Sequence, residues 1–404
     1  MSPARSAAEK AARSSYGRLV AMLAVRTRDI AAAEDALSDA FVSALRTWPE
    51  RGVPDNPDAW LLTAARNTVK NVARHRNVAE TAAVAMALEQ SVLPSEPAEF
   101  PDQRLRLLFV CAHPAIDESV RTPLMLQTVL GLDAAHIAAA FLVAPTTLGQ
   151  RLVRAKAKIK DAGLRFELPS TADMADRMAD VLNAIYVAFG TGWDSVAGAE
   201  AGPRDLTGEA LFLCRLIVTF LPNEPEARGL LALMLYCEAR RPARRGEAGE
   251  FIPLREQDHH RWSRDVIVEA EGHLISASRH GTFGRFQCEA AIQSVHVQAP
   301  LTGRTNHEAL ETLYQLLAHH CPSVGVLVSQ AAALVDAGDA DKALVVLGRL
   351  PEADVQSYQP YWVTRANALG AKGDLPAAAR ALDVAIGLTE DPAVRAFLVQ
   401  SRRF

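Results

Sequence analysis

The chain has 404 residues, of which 49% are hydrophobic and 22% are charged, a composition typical of globular protein and not of disordered or fibrous protein. This length is enough for about two to four domains, each with a core of its own. The formal net charge of −4 argues against nucleic-acid binding over the whole surface, although local basic segments can still bind DNA. The longest apolar run, about 229–237, is too short to span a membrane.

The residue types predict a helical protein with reduced cysteines. Alanine is abundant and runs of β-branched residues are rare, which favours helix almost throughout. The five cysteines are far apart, odd in number and without metal-ligand spacing, so we expect buried thiols of a cytoplasmic protein. The first fifteen residues have no apolar core for a signal peptide, and we expect a frayed lead-in there.

Residues 16–76 predict three or four packed helices. The helix at about 29–48 has its apolar residues at the spacing of one buried face, namely Leu37, Phe41, Ala44 and Trp48. Its other side carries an acidic patch of Glu34, Asp35, Ser38 and Asp39. On an isolated helix such acids would only complement the helix dipole. Pro49, Pro54 and Pro57 then predict a constrained loop.

The next predicted helix, 59–75, has two distinct faces. The buried stripe consists of Leu62, Ala65, Val69 and Val72, and the opposite face consists of Arg66, Asn67, Lys70, Asn71 and Arg74. Asparagine and basic side chains together can hold phosphates and hydrogen-bond base edges, whereas the alternative is an ordinary solvated face. Trp60 belongs either to the core or to a base-stacking site.

A proline-rich linker at 81–101 separates this domain from a second one, 102–168. The segment 132–160 begins with a short apolar helix, which ends at a break at Val143-Ala144-Pro145. A basic helix follows the break, and 143–160 contains no acid. In the basic helix Leu148, Leu152, Ala155 and Ile159 are expected to point inward. This pattern predicts a helix-turn-helix whose second helix lies against DNA.

Two further regions follow. Residues 169–320 contain long apolar helices and an arginine-rich passage, 240–262, which forms either a pocket or docking surface, or a loop ordered by ion pairs. The histidine pairs 259–260 and 319–320 are adjacent in sequence, should face different ways on a helix, and therefore predict no metal site. Residues 321–404 contain two repeats 35 residues apart with small residues and Gly-Asp in register, which is close to the tetratricopeptide period.

The order of these segments resembles one family. The acidic-patch helix, the proline loop, AWLLTAARNTVKNVARHR, the linker and LGLDAAHIAAAFLVAPTTLGQRLVRAKAKIK are together similar to an extracytoplasmic-function (ECF) RNA polymerase sigma factor. The strings CAHPAIDESVRTPLMLQTVLGL, EARGLLALMLYCEARRPAR, LREQDHHRW and GRFQCEAAIQSVH resemble the subgroup with a C-terminal helical extension that ends in tetratricopeptide-like repeats. The resemblance implies an all-α fold with sigma domain two at 1–80, a linker at 81–101, sigma domain four at 102–168, a helical middle domain at 169–320 and repeats at 321–404.

The resemblance also implies residue roles. Asp35, Ser38 and Asp39 would bind the polymerase clamp coiled coil. The −10 promoter element would be read by Arg66, Asn67, Lys70, Asn71 and Arg74. The −35 element would be read by Thr146, Thr147, Gln150, Arg151, Arg154 and Lys158.

The implied protein is a cytoplasmic alternative sigma factor without enzymatic activity, metal or cofactor. Its partners would be core RNA polymerase, through the clamp and the flap, promoter DNA, and a protein partner of the repeats, with the extension regulating activity in cis. The alternative is a DNA-binding helical-repeat scaffold that acts without polymerase. An enzyme within 171–320 has no support from a nucleophile–base spacing, a phosphate loop or a metal cluster.

Overall fold

The computed structural model describes residues 2–76, 102–141, 143–194 and 206–402, without the side chains of 72–76, 139–140, 171–172 and 192–194. Within these ranges helices are the regular elements, and one isolated antiparallel bridge joins Arg245 to Phe251. The all-α prediction is therefore confirmed. The described chain forms two compact units, the first ending at Leu213 and the second beginning at Cys214. The predicted linker, 81–101, lies outside the described residues.

The first unit begins with four helices, α1 (Pro3–Ser14), α2 (Tyr16–Thr27), α3 (Ile30–Arg51) and α4 (Pro57–Arg76). Helix α1 corrects the expectation of a frayed lead-in. Ser2 caps it, and its alanines at positions 4, 8 and 11 are buried. Because small side chains recur at helical spacing, α1 can pack closely on α3 without any large apolar residue.

Helix α3 extends past Pro49 and ends before Gly52, which has a φ of +86°. A proline in the last turn removes one backbone donor where the helix is about to end, so the cost is small. The indole rings of Trp48 and Trp60 meet edge-on, with their centroids 5.5 Å apart. Asp58, in the first turn of α4, accepts hydrogen bonds from Ser15 and Arg18 of α2 and its cap, at 2.7 and 2.5 Å. These contacts fix α4 against the helices that precede it.

The first unit continues with α5 (Gln103–Cys111), α6 (Glu118–Thr128), α7 (Ala134–Ala140), α8 (Pro145–Asp161) and α9 (Thr171–Asp194), and α10 (Leu206–Phe220) leads into the second unit. Helix α9 packs against α5 and α6 and buries Met178, Val181 and Ile185. Arg121 of α6 forms an ion pair with Asp180 of α9 at 2.8 Å. The helix that follows the predicted domain four is thus part of the same core.

The second unit starts with α11 (Pro225–Arg240), α12 (Arg264–Ser278), α13 (Arg285–Thr302) and α14 (His307–His320). Helix α11 is buried on nearly all sides, as its apolar sequence predicts. The carboxylate of Glu226 accepts the backbone N–H groups of Phe286 and Gln287, both at 3.0 Å, and so caps α13. Gly229 permits this close approach, because a Cβ there would lie 2.5 Å from the backbone nitrogen of Gln287.

The unit ends with α15 (Val324–Asp336), α16 (Ala340–Leu347), α17 (Glu352–Val355), α18 (Gln359–Ala371), α19 (Leu375–Leu388) and α20 (Pro392–Gln400). The hairpins α15–α16 and α18–α19 share the same turn, with Gly338 and Gly373 at φ +86° and +83°. Asp339 and Asp374 cap the second helix of each hairpin. Their assignment as tetratricopeptide-like stays a prediction. Among the described residues, no helix has the length and hydropathy that crossing a membrane requires.

Candidate nucleic-acid interface

The predicted acidic patch on α3 divides into two parts. Asp35, Ser38 and Asp39 are exposed, whereas Glu34 is largely buried. The exposed part continues along the helix into an apolar strip, since Val42 and Leu45 are 47% and 49% exposed. We call Asp35, Ser38, Asp39, Val42 and Leu45 the α3 face. It combines negative charge with apolar area, a combination typical of protein-binding surfaces.

Helix α4 has the two predicted faces. Leu61, Leu62 and Ala65 are buried, and Asn67, Lys70 and Asn71 are exposed. Arg66 is half-buried, and its Nε has no hydrogen-bond partner. Burial and, second, the nearby Arg26 lower the pKa of Arg66. The side chain of Arg74 lies outside the described residues. Trp60, which we left open, is partly exposed at the start of the same helix.

Helix α8 also presents two faces. Leu148, Leu152, Ala155 and Ile159 are buried, which confirms the predicted inward stripe. The side chains assigned to the −35 element are all exposed, namely Thr146, Thr147, Gln150, Arg151, Arg154 and Lys158. Among the described side chains, no carboxylate forms an ion pair with the three cations of this set. A surface with three such cations is suited to phosphate contacts.

The turn before α8 is held locally. Asp133 accepts the backbone N–H groups of Ala135 and His136, at 2.9 and 3.0 Å, and caps α7. The imidazole Nδ1 of His136 contacts the other oxygen of the same carboxylate. Helix α8 itself starts at Pro145 without a side-chain cap, so its first N–H groups are open to an acceptor from outside the helix.

Helices α3 and α8 are joined by two ion pairs that were not predicted from the sequence. The ammonium of Lys156 contacts both carboxylate oxygens of Glu34, at 2.6 and 2.8 Å, and these side chains are only 10% and 17% exposed. At the edge of the contact Lys160 pairs with Asp29 at 2.8 Å. We call these two pairs the α3–α8 latch. Together with the packing of α2 on α5, it joins the predicted domains two and four and leaves both of their outward faces exposed.

The two acids of the latch differ in environment. Burial raises the pKa of Glu34 above its ordinary value, although Lys156 acts in the opposite direction. Burial also acts to raise the pKa of Asp29, but the hydrogen bonds from Lys160 and from the N–H of Ala32 outweigh it and lower that pKa. Asp29 thus caps α3 and pairs across the contact at once. Glu34 carries the larger desolvation cost.

The spacing of Lys156 from the apolar residues of α8 predicts that its side chain is buried, although a lysine is usually exposed. Position 156 lies four residues after Leu152 and three before Ile159, which places it on the buried stripe. Arg26, which lies near Arg66, was not singled out by the sequence either. The partner of Lys156 comes from a helix that is distant in sequence. Periodicity can therefore show that Lys156 faces inward, but not that it meets Glu34.

The arginine-rich passage is ordered mainly by ion pairs. Arg241 pairs with Glu238 at 3.0 Å, Arg255 pairs with Asp336 at 2.7 Å, and Arg245 pairs with Asp391. The ring centroids of His259 and His260 are 4.2 Å apart, so the expectation that they face different ways is wrong. They lie on a short 3-10 turn and not on an α-helix. With Asp258 they form a group whose ligand atoms lie within 4.8 Å of one another, and its outer residues are exposed to solvent.

Comparison with known proteins gives two family matches and one close relative. Residues 12–78 match the model of Sigma-70 region 2, and 177–278 match a family of unknown function (DUF6596). No solved structure matches. An uncharacterized protein of Rhizobium meliloti (strain 1021) is 35% identical over 379 residues, covering 92% of this chain and 89% of its own length. The sigma-70 region 2 supports a sigma-factor-like role in transcription initiation. The chain belongs to the same family as the Rhizobium meliloti protein and carries a sigma-70 region 2 at its N-terminus.

Proposed function

We propose that this protein is an alternative sigma factor of the ECF type, which binds core RNA polymerase in the cytoplasm and directs initiation at specific promoters. Sigma domain two would occupy 1–80, sigma domain four 102–168, and the regulatory extension 169–404, ending in tetratricopeptide-like repeats from 321. The proposal makes the protein a recognition subunit and not an enzyme, because binding energy alone does the work assigned to it.

The observation that carries the proposal is the outward face of α8. Six exposed side chains, three of them cations, lie opposite a buried apolar stripe on one helix. The same compact unit contains the sigma-70 region 2. A helix of this kind can enter the major groove, with its cations on phosphates and with Gln150 or Arg151 near base edges. We assign it to the −35 element.

Helix α4 would read the −10 element. Its exposed Asn67, Lys70 and Asn71 offer hydrogen bonds to base edges and a charge for phosphate. Arg66 and Arg74 would complete this face. Because a melted strand exposes its bases, capture of the unpaired strand can stabilise the open promoter without any chemistry on DNA. The −10 and −35 contacts lie on one chain, so binding at one element raises the effective concentration of the protein at the other.

The α3 face would bind the polymerase clamp. Asp35 and Asp39 supply charge that can steer association with a basic partner, and Val42 and Leu45 supply apolar area beside it. A scaffold that bound only DNA would have no use for this acidic and apolar face. The α3 face therefore distinguishes the sigma factor from the scaffold.

The test is transcription in vitro with core polymerase. We expect the wild-type chain to produce promoter-specific transcripts and the variant Asp35→Lys/Asp39→Lys to produce about tenfold fewer or none, because reversed charge opposes docking on a basic partner. Co-migration with core polymerase on gel filtration measures the binding step directly.

The matched control is Asp265→Lys/Glu308→Lys, which reverses two exposed acids on α12 and α14 of the other unit. It should transcribe like the wild type. If the α3 variant still binds polymerase and initiates normally, the α3 face is not the docking surface. If the wild type binds DNA but never polymerase, the scaffold is the correct alternative.

A further inference from the structure

Arg240, the last residue of α11, differs from its neighbours in the arginine-rich passage. It is only 8% exposed, and its guanidinium donates to three uncharged acceptors. These are the backbone oxygen of Tyr236 at 3.2 Å, the side-chain oxygen of Gln293 at 2.5 Å and the Sγ of Cys237 at 3.8 Å. Arg241, Arg245 and Arg255 each pair with a carboxylate, but none of the described carboxylates forms an ion pair with Arg240.

The nearest acid along α13 is already engaged. Glu289, one turn before Gln293, pairs with Arg285 at 2.8 Å. Within the part of the chain that the structure describes, the guanidinium of Arg240 is therefore held by uncharged acceptors and not by a carboxylate. The C-terminal carbonyl groups of α11 offset part of this positive charge. A buried cation that no carboxylate balances remains suited to a ligand that carries negative charge.

The imidazoles of His296 and His307 lie near Arg240. His296 follows Gln293 by one turn of α13, and burial, then Arg240 and His307, lower the pKa of His296 to about 4. It is thus neutral at pH 7 and adds no charge of its own. The Nδ1 of His307 is buried, and no described residue forms a hydrogen bond with it. Neutral imidazoles can donate one hydrogen bond each.

Trp262 supplies an independent observation. It is 7% exposed, and its indole N–H is buried without an acceptor. The following residue, Ser263, donates its backbone N–H to the oxygen of Ala239 at 2.9 Å, which holds Trp262 beside the end of α11. A buried donor without an acceptor is unfavourable. The guanidinium of Arg240 and the indole N–H of Trp262 together are suited to an acceptor that carries negative charge.

We propose that Arg240, with Trp262, His296 and His307, forms a binding site for a small oxyanion, a ligand with a phosphate or a carboxylate group. This inference does not rest on the proposed function, because it concerns the second unit alone and its test needs neither polymerase nor DNA.

The experiment is isothermal titration calorimetry of the full chain with inorganic phosphate in an anion-poor buffer. We expect saturable binding at one site for the wild type and binding about tenfold weaker or more for Arg240→Gln, because a hydrogen bond to a charged group contributes about 1.5–3 kcal/mol. Arg240→Lys keeps the charge without the fork of donors, and it should fall between the two. Acetate, titrated in parallel, separates a phosphate ligand from a carboxylate ligand.

The matched control is Arg215→Gln, which removes the same charge from the same unit at the exposed pair with Glu269. It should bind as the wild type does. The inference is overturned if neither phosphate nor acetate binds the wild type saturably, or if both Arg240 variants bind with the wild-type affinity.

Discussion

Lys156 and Lys158 are two positions apart on α8, and their side chains have different partners. Lys156 is buried against Glu34, whereas Lys158 is exposed with the cations assigned to DNA. The difference follows from the helical period of 3.6 residues, which turns neighbouring positions to different sides. A count of basic residues on α8 thus overstates the charge that DNA can meet. The exposed cations Arg151, Arg154 and Lys158 carry the proposed contact.

The buried His296 should make stability depend on pH. Its pKa is lowered to about 4 in the folded protein, against an ordinary value near 6.5 in the unfolded chain. Between these values the unfolded chain binds more protons, so stability present above pH 6.5 is lost as the pH falls toward 4, by up to roughly 3 kcal/mol. Urea unfolding at pH 7 and pH 5, without phosphate, measures the loss.

The comparison with His296→Gln isolates this residue, because other histidines also titrate. Burial lowers the pKa of His273, for example, so the wild type will have a background dependence. The variant should lose less stability between pH 7 and pH 5 than the wild type. Equal losses in both proteins would mean that the pKa of His296 is the same in the folded and in the unfolded chain.

At the scale of helices, the α3–α8 latch is a buried ionic contact between the two predicted domains. Breaking a buried ion pair on one side leaves a charge without a partner, whereas replacing both members by apolar residues is often neutral. We expect Lys156→Met to destabilise the first unit by roughly 3 kcal/mol. The double variant Glu34→Met/Lys156→Met should recover most of that loss. The midpoint of urea unfolding measures both effects.

The control for the latch is Lys158→Met, which changes an exposed lysine on the same helix and should stay within about 0.5 kcal/mol of the wild type. Since burial raises the pKa of Glu34, the single variant should be less impaired at pH 5, where protonation relieves the lone carboxylate. A double variant as unstable as the single one would show that the pair contributes packing and not charge.

The sequence predicts those elements whose signals are local. Leu148, Leu152 and Ile159 indicate the buried stripe of α8, and the repeated Gly-Asp pairs indicate the turns before α16 and α19. Helix α1 was missed because its buried stripe is made of alanine, which carries little hydrophobic signal. The latch was missed because Glu34 and Lys156 are 122 residues apart. The sequence places Arg240 in the arginine-rich passage, but it does not distinguish Arg240 from the arginines there that form ion pairs, because ion pairing depends on tertiary contacts.

At the scale of the whole molecule, α9 belongs to the compact first unit although it follows the predicted boundary at 168. The predicted boundary at 168 lies before α9, yet Met178, Val181, Leu182, Ile185 and Phe189 of that helix are buried in the first unit. Each such side chain contributes about 1.5–3 kcal/mol when it is fully buried. A chain cut at Leu168 would therefore expose an apolar surface on α5 and α6. Loss of activity on that cut would report on folding and not on regulation.

Two truncations separate these effects. We expect a chain ending at Leu213 to keep the thermal unfolding transition of the first unit, and a chain ending at Leu168 to unfold at lower temperature or aggregate, because only the longer chain retains α9. If the extension acts in cis, transcription by the 1–213 chain should differ severalfold from that of the full chain. An increase would mark the second unit as inhibitory, and a loss, in a chain that is still folded, would mark it as required. Equal transcription by the folded 1–213 chain and the full chain would remove cis regulation from the proposed function and leave the sigma assignment itself intact.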